Sequence, residues 1–308
     1  ADMPICTDSS GKVKLCSDKI LFSPISSVYY SPTLTTSQTV GFPSGGVDGA
    51  ITYSIDSAYS CTTTPTANTD WPNGATLTGS NSNYTVHFNA WGTYVLSMNC
   101  TNGKSYSVTI DIKGKIKPVL NSNQKFLFPS SKVLEIKAQG GGGDDGGVNS
   151  SGCFGVTDGL PAFAHVTSSG TWSPNAISSP SNEGADYNSG ANIVHAGGGY
   201  GPANSLGCYG AGGDYKTYGS GTSSVTVRNG VAATGSNGGC PGSNPSCPNS
   251  DSDGNGGYGQ RGGGGGAYVS LKYTISAGNY IHVYNGGGVG NTGTSGSAKP
   301  ASLIVEWK

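Results

Sequence analysis

Hydrophobic and polar residues alternate in short runs along this chain, and turn residues separate the runs. In Ser105-Tyr106-Ser107-Val108-Thr109-Ile110-Asp111-Ile112, the residues Tyr106, Val108, Ile110 and Ile112 fall on one side; Ser107, Thr109 and Asp111 fall on the other. Successive side chains of a strand point to opposite faces, so this pattern suits a strand with one dry and one wet face. Val28-Tyr29-Tyr30, Ala50 to Ile55, Tyr84 to Phe88 and Thr93 to Met98 are further candidates. So many strands in one stretch predict a β-sandwich over residues 20–115. Ahead of it, Cys6 and Cys16 flank the turn sequence Asp8-Ser9-Ser10-Gly11, which predicts a disulfide-closed hairpin over residues 1–19.

Lys113-Gly114-Lys115-Ile116-Lys117-Pro118 opens an interdomain link that is read over residues 116–125. A second domain is expected over residues 126–308. It starts near Phe126, and Leu134, Ile136 and Ala138 alternate with Glu135 and Lys137 in its first long strand. Ala267 to Ile275, Tyr280 to Tyr284 and Leu303 to Trp307 are its later strands, and the four together are expected to form one sheet.

Between these strands lies a glycine-rich block from Gly140 to Gly266. Ten of the chain's 53 glycines precede residue 140, so the second half holds the rest. Such sequence usually reads as linker or disorder. Alternating strands flank this block and cysteines stand inside it, which favours packed glycine. Without a Cβ, extended or polyproline-II-like segments can lie side by side as collagen chains do. The fold class expected is therefore all-β: an immunoglobulin-like sandwich followed by a sheet domain with packed glycine-rich segments.

Composition narrows the setting. Sixteen Lys and Arg balance seventeen Asp and Glu, so no global field points to nucleic acid or an anionic membrane. Charged residues make up 11% of the chain, against the usual ~25%. Seven lysines lie between Lys104 and Lys137. With no Arg among them, they read as solvated strand edges rather than a site for an anionic partner. No apolar run approaches the ~20 residues that span a bilayer. The chain starts at Ala1, which suggests a mature form from which a signal peptide was removed.

Eight cysteines fall as near neighbours: Cys6 and Cys16, Cys61 and Cys100, Cys153 and Cys208, Cys240 and Cys247. An even count without C-x-x-C reads as disulfides in an oxidising compartment, and no spacing fits zinc. The near-neighbour pairing is one of many possible connectivities.

Two resemblances rest on ordered sets of residues. The run Trp91 to Gly103, with the strand Ser105 to Ile112 after it, resembles the closing hairpin of bacterial immunoglobulin-like modules. Met98, not Tyr, stands two residues before Cys100, so a tyrosine corner is expected to be missing. Further on, a strand runs into Gly140-Gly141-Gly142-Gly143. Gly262 to Tyr268, then Ile275 to Gly290, and a final strand ending in Glu306-Trp307 come after it in order. That order resembles the glycine-rich domains of phage tail-fibre and bacterial surface adhesins. It implies an extracellular recognition role and assigns no site residue.

Chemistry-bearing motifs are few. Asp251-Ser252-Asp253-Gly254-Asn255-Gly256 matches the opening of a calcium loop, with Asp251, Asp253 and Asn255 as oxygen ligands. The twelfth position would be Gly262 instead of the bidentate Glu, so a plain polar turn is the competing reading. Calcium is the one cofactor suggested. Gly288 to Gly293 fits a dinucleotide pattern, but Thr294 to Pro300 do not read as the helix that pattern needs. No nucleophile elbow, H-E-x-x-H or P-loop is present, and His87, His165, His195 and His282 are scattered, so no enzyme is expected.

Binding has better candidates. Trp172, Tyr187, Tyr200, Tyr209, Tyr215, Tyr218 and Tyr258 stand among Ser, Gly and Asn, and Asp186 and Asp214 each precede a Tyr. Rings on rigid loops offer contact area at low entropic cost, and a neighbouring carboxylate can bind sugar hydroxyls. The competing reading is that the rings cover the sides of a glycine core. The expectation is a secreted or surface-displayed adhesin that recognises a cell-surface glycan or protein. Its N-terminal region would attach to a pilus or fibre. The alternative is a structural subunit of an extracellular filament or surface layer.

Overall fold

In a computed structural model, the structure describes residues 5–7, 13–15, 21–22, 28–30, 33–54, 66–67, 76–80, 83–99, 105–143, 147–149, 152–154, 159–168, 191–199, 212–217, 221–231, 265–286 and 300–308. Among them every regular element is a β-strand, in sheets of mixed orientation. The chain divides into two compact units. One holds residues 1–32, 42–114 and Lys308; the other holds 33–41 and 115–307.

The first unit begins with a hairpin in which β1 (Ile5–Thr7) pairs antiparallel with β2 (Val13–Leu15). Two four-stranded sheets come next. One has the order β3 (Leu21–Phe22), β7 (Val47–Ser54), β10 (Asn83–Phe88), β9 (Thr76–Ser80). The other has the order β4 (Val28–Tyr30), β12 (Ser105–Ile112), β11 (Gly92–Asn99), β8 (Thr66–Ala67). The chain changes sheets between β10 and β11, and the turn is held from both sides. Phe88 and Tyr94 are fully buried and meet edge to face at 4.7 Å. The Tyr94 hydroxyl donates to the carbonyl of Ala90 at 2.7 Å. Only the backbone of Met98 is described and Cys100 lies outside the described residues; the bond from Tyr94 is made earlier in the strand.

The second unit is built on two six-stranded sheets. The first has the order β21 (Thr222–Arg228), β22 (Tyr268–Ile275), β15 (Lys132–Gln139), β24 (Ser302–Trp307), β13 (Gly114–Ile116), β5 (Thr33–Leu34). The second has the order β20 (Tyr215–Thr217), β19 (Ala191–Ala196), β18 (Ala162–Thr167), β23 (Tyr280–Asn285), β14 (Asn123–Leu127), β6 (Gln38–Thr39). A small hairpin pairs β16 (Gly147–Asn149) with β17 (Gly152–Phe154). The four strands expected to share a sheet are divided. β15, β22 and β24 lie in one sheet and β23 in the other, because β23 pairs with β18 and β14. Residues 116–125, read in the sequence as a link, lie in this unit, with Ile116 fully buried and β14 beginning at Asn123.

Alternation decides which faces meet. Leu134, Ile136, Val269, Leu271, Leu303, Val305 and Trp307 are buried on the first sheet; Phe126, Ala162, Ala164, Val194, Ile281 and Val283 are buried on the second. Phe128 and Trp307 touch edge to face at 5.2 Å. Burying each large apolar side chain contributes about 1.5–3 kcal/mol, so this interior is the main source of the unit's stability.

Candidate functional site

Stacked sheets normally stand ~10 Å apart, because side chains fill the gap between them. At one end of the second unit the side chains stop, and the two sheets close on each other. Gly140 continues β15, Gly159 leads into β18, Gly197 continues β19, and Gly213 leads into β20. Gly230 comes after β21, Gly266 leads into β22, Gly286 continues β23, and Ala301 leads into β24.

These segments bond sideways through their backbones. Within a sheet, the amide of Gly159 donates to Gly199 at 2.9 Å and that of Gly197 donates to Asp214 at 2.8 Å. Between the sheets, Gly141 donates to Leu160 at 2.9 Å, Gly199 to Gly141 at 2.8 Å and Gly213 to Gly265 at 2.8 Å. Gly230 to Gly213 at 2.9 Å, Ala267 to Gly197 at 2.9 Å and Ala301 to Gly286 at 2.9 Å also cross from sheet to sheet. Residues 197–199 therefore bond to four other segments, where a strand in a sheet has two neighbours.

Glycine is required here by space. A Cβ on Gly198 would overlap the carbonyl of Gly159, and one on Gly230 would overlap that of Gly265. The obstructing atoms are backbone, so no side chain can swing away. One side chain enters the network. Gln139, at the end of β15, is buried, and its Nε2 donates to the carbonyls of Gly266 at 2.7 Å and Ala267 at 2.8 Å.

Two of the expected binding residues lie in the described part, on the flank of this network. Asp214 is exposed, while its carbonyl is held by Gly197. Tyr215 is half-buried, and its amide donates to Asn229 Oδ1 at 3.4 Å. Tyr215 is registered with Ala196, whose side chain is fully buried. The register puts Tyr215 on the same face of the sheet as Ala196. Trp172, Asp186, Tyr187, Tyr200, Tyr209, Tyr218 and Tyr258 lie outside the described residues, as do Asp251, Asp253 and Asn255. Cys16, Cys61, Cys100, Cys208, Cys240 and Cys247 also lie outside them; Cys6 and Cys153 stand in β1 and β17, with only their backbone described.

Connectivity nevertheless sorts the segments that carry these residues. The chain leaves the glycine network after Gly143, Gly199, Val231 and Gly286, and returns at Gly159, Gly212, Gly265 and Pro300. Tyr200, Tyr209 and Tyr258 fall in those connections. Trp172, Asp186 and Tyr187 fall between β18 and β19, and Tyr218 between β20 and β21. Both of these connections join strand ends remote from the network.

One group escapes sequence reasoning. β18, β19 and β23 bring three of the four scattered histidines onto the second face of their sheet. His165 and His282 are cross-strand partners with ring centroids 6.3 Å apart, and Thr167 Oγ1 lies 3.0 Å from His282 Nε2. Phe163 stacks on Tyr284 at 5.2 Å and on His195 at 6.4 Å. All of these except Tyr284 and Thr167 are at most 2% exposed. Burial pushes the Tyr284 phenol above its ordinary value. The alternation Phe163-x-His165-x-Thr167 against Tyr280-x-His282-x-Tyr284 is the available signal, but it needs the strand pairing to be read. A buried layer of this kind offers packing and hydrogen bonding.

Among the described residues, no group of three or more His, Cys, Asp or Glu side chains is placed to hold a metal ion. No helix among them is long and apolar enough to cross a membrane. The chain matches no protein-family model, no curated protein and no solved structure.

Proposed function

We propose that this protein is an extracellular adhesin that recognises a cell-surface glycan or protein through the connections leaving the glycine network. In this reading the first unit is an immunoglobulin-like module that attaches to a fibre or pilus. The glycine segments run as polyproline-II-like strands and serve as a rigid floor. The observation that carries the reading is the network itself. Eight strand ends from two sheets are locked by backbone bonds in several directions, and four chain connections start and finish on that base. Rigid support under Tyr-, Ser- and Asn-rich loops is what low-entropy recognition of a surface requires. The sandwich reading is supported by the two four-stranded sheets and by the corner bond from Tyr94 to Ala90.

A filament or surface-layer subunit built by edge pairing has less support. The exposed edge strand β21 is irregular between Ser223 and Thr226, with Ser224 at a φ of 52°. Bulged edges discourage pairing with another chain. The other edges of the second unit's two six-stranded sheets, β5, β6 and β20, are two or three residues long.

The test is binding of the full chain to candidate target cells and to a glycan array. The reading expects saturable binding that is lost when Tyr200, Tyr209 and Tyr258 are changed to Ala, with the melting temperature unchanged. Replacing Trp172, Tyr187 and Tyr218 should matter less, because their connections join the other strand ends. Binding that survives the first set of changes would contradict this assignment of the recognition end.

A further inference from the structure

The second unit borrows residues 33–41 from an early part of the chain, and it holds them as a peptide-binding protein holds a ligand. The segment lies along the last strand of each sheet. β5 runs parallel to β13, with Lys115 opposite Thr33 and Ile116 opposite Leu34. β6 runs parallel to β14, with Phe126 opposite Gln38 and Leu127 opposite Thr39. Each ladder has two residue pairs, so neither is strong alone.

Side chains add what the ladders lack. Val40 is 4% exposed and Leu34 is half-buried, while Thr33, Thr35, Thr36, Ser37, Gln38 and Thr39 are exposed. Buried Gln124 donates its Nε2 to the carbonyl of Thr35, and its Oε1 accepts from the amide of Val119 at 2.8 Å. The amide of Lys125 donates to Ser37 Oγ at 3.0 Å. The backbone closes both ends: Lys117 donates to Leu34 at 3.2 Å, and Val40 donates to Leu127 at 2.8 Å. Main-chain pairing supplies affinity and apolar anchors at set positions supply specificity, which is how sheets recognise added strands.

We propose that the edges of β13 and β14 form a strand-acceptor site that also takes residues 33–41 from a second copy of this chain. The acceptor is complete without the segment. Ile116, Gln124, Phe126 and Leu127 are held by the two sheets, through the antiparallel pairing of β14 with β23 and the place of β13 beside β24. The segment itself is short and largely exposed, with Leu34 and Val40 as its inward side chains, so releasing it takes little from the interior. An exchanged segment would link copies without a new interface.

The experiment uses the full chain carrying Leu34→Ser and Val40→Ser, which weakens the resident segment and leaves the acceptor intact. The probe is a fluorescent synthetic peptide of residues 31–42, followed by anisotropy. Saturable binding is expected. Gln124→Ala added to the chain, or the two Ser changes made in the peptide, should each weaken binding about tenfold. Failure of the wild-type peptide to bind, or equal binding of the altered peptide, would overturn the proposal. Should the double variant not fold, hydrogen exchange on the unaltered chain decides. The amides of Lys117 and Val40 should open well before that of Ile136. Opening of all three only together would mean that the segment is never released, and the proposal would fall.

Discussion

The side-chain amide of Gln139 lies 2.7 Å from the carbonyl oxygen of Gly266 and joins the end of β15 to the glycine segment that enters β22. It also donates to Ala267. Gln139→Leu removes both bonds; the carbonyl of Ala267 keeps the amide of Gly140 as a donor at 2.9 Å, so the loss falls mainly on the carbonyl of Gly266, at about 1–3 kcal/mol. Gln139→Glu should do worse at neutral pH, because a carboxylate would face carbonyl oxygens. The folded form of that variant would hold its proton, so its carboxyl titrates above the unfolded value. Its stability should be best below the ordinary carboxylate range and be lost as pH rises. Urea melts of both variants from pH 4 to 8 check this; parallel pH profiles would contradict it.

Space around the glycines gives a paired prediction. Gly198→Ala drives a methyl group into the backbone of Gly159 and should cost about 3 kcal/mol or more. Gly41 has nothing within 4 Å of where its Cβ would stand. Gly41→Ala should stay within about 1 kcal/mol of the parent. Chemical denaturation of the two variants measures the difference.

Tyr94→Phe tests the corner between β10 and β11. The ring keeps its contact with Phe88, while the carbonyl of Ala90 loses its donor, at about 1–2 kcal/mol. Burial holds the Tyr94 phenol above its ordinary value. The contribution is therefore present below the ordinary phenol range and is lost as pH climbs through the raised folded value. Alkaline melting should begin later in Tyr94→Phe than in the parent, once the difference in starting stability is subtracted.

Asp111 gives the opposite sign within the first unit. Burial pushes its carboxyl up. The bonds from Lys308 Nζ at 2.6 Å and Thr93 Oγ1 at 2.7 Å, with the charges of Lys308 and Lys113, outweigh it and leave the value lowered. That stability is present above the ordinary carboxylate range and is lost as pH falls through the lowered folded value. The Lys308 side chain is 42% exposed, so Asp111→Asn should cost only about 1 kcal/mol or less at neutral pH. It should also flatten the acid limb of the stability profile, which thermal melts at pH 2 to 6 would show.

Strands with one wet face are legible in the sequence. Leu134, Ile136 and Ala138 are buried, and Glu135 and Lys137 are not, as their alternation implies. β18 is not legible. Ala162 to Thr167 are buried on both faces, so no polar alternation marks the strand. β5 and β6 escape notice for a different reason. Two-residue strands such as Thr33–Leu34 carry no period, and their partners lie far along the chain. The histidine layer is hidden likewise, because His165 and His282 become neighbours only when β18 pairs with β23. The need for packed glycine is readable from composition and flanking strands. Which glycines bond to which depends on sheet order, and no local signal encodes that.

The central claim is that backbone bonds between glycine segments hold the two sheets together as one rigid base. Amide hydrogen exchange at Gly141, Gly159, Gly213 and Gly230 tests it most directly. The account predicts opening free energies of several kcal/mol, comparable with amides in β15. Exchange at the rate of an unstructured peptide at those four positions, while β15 stays protected, would contradict it.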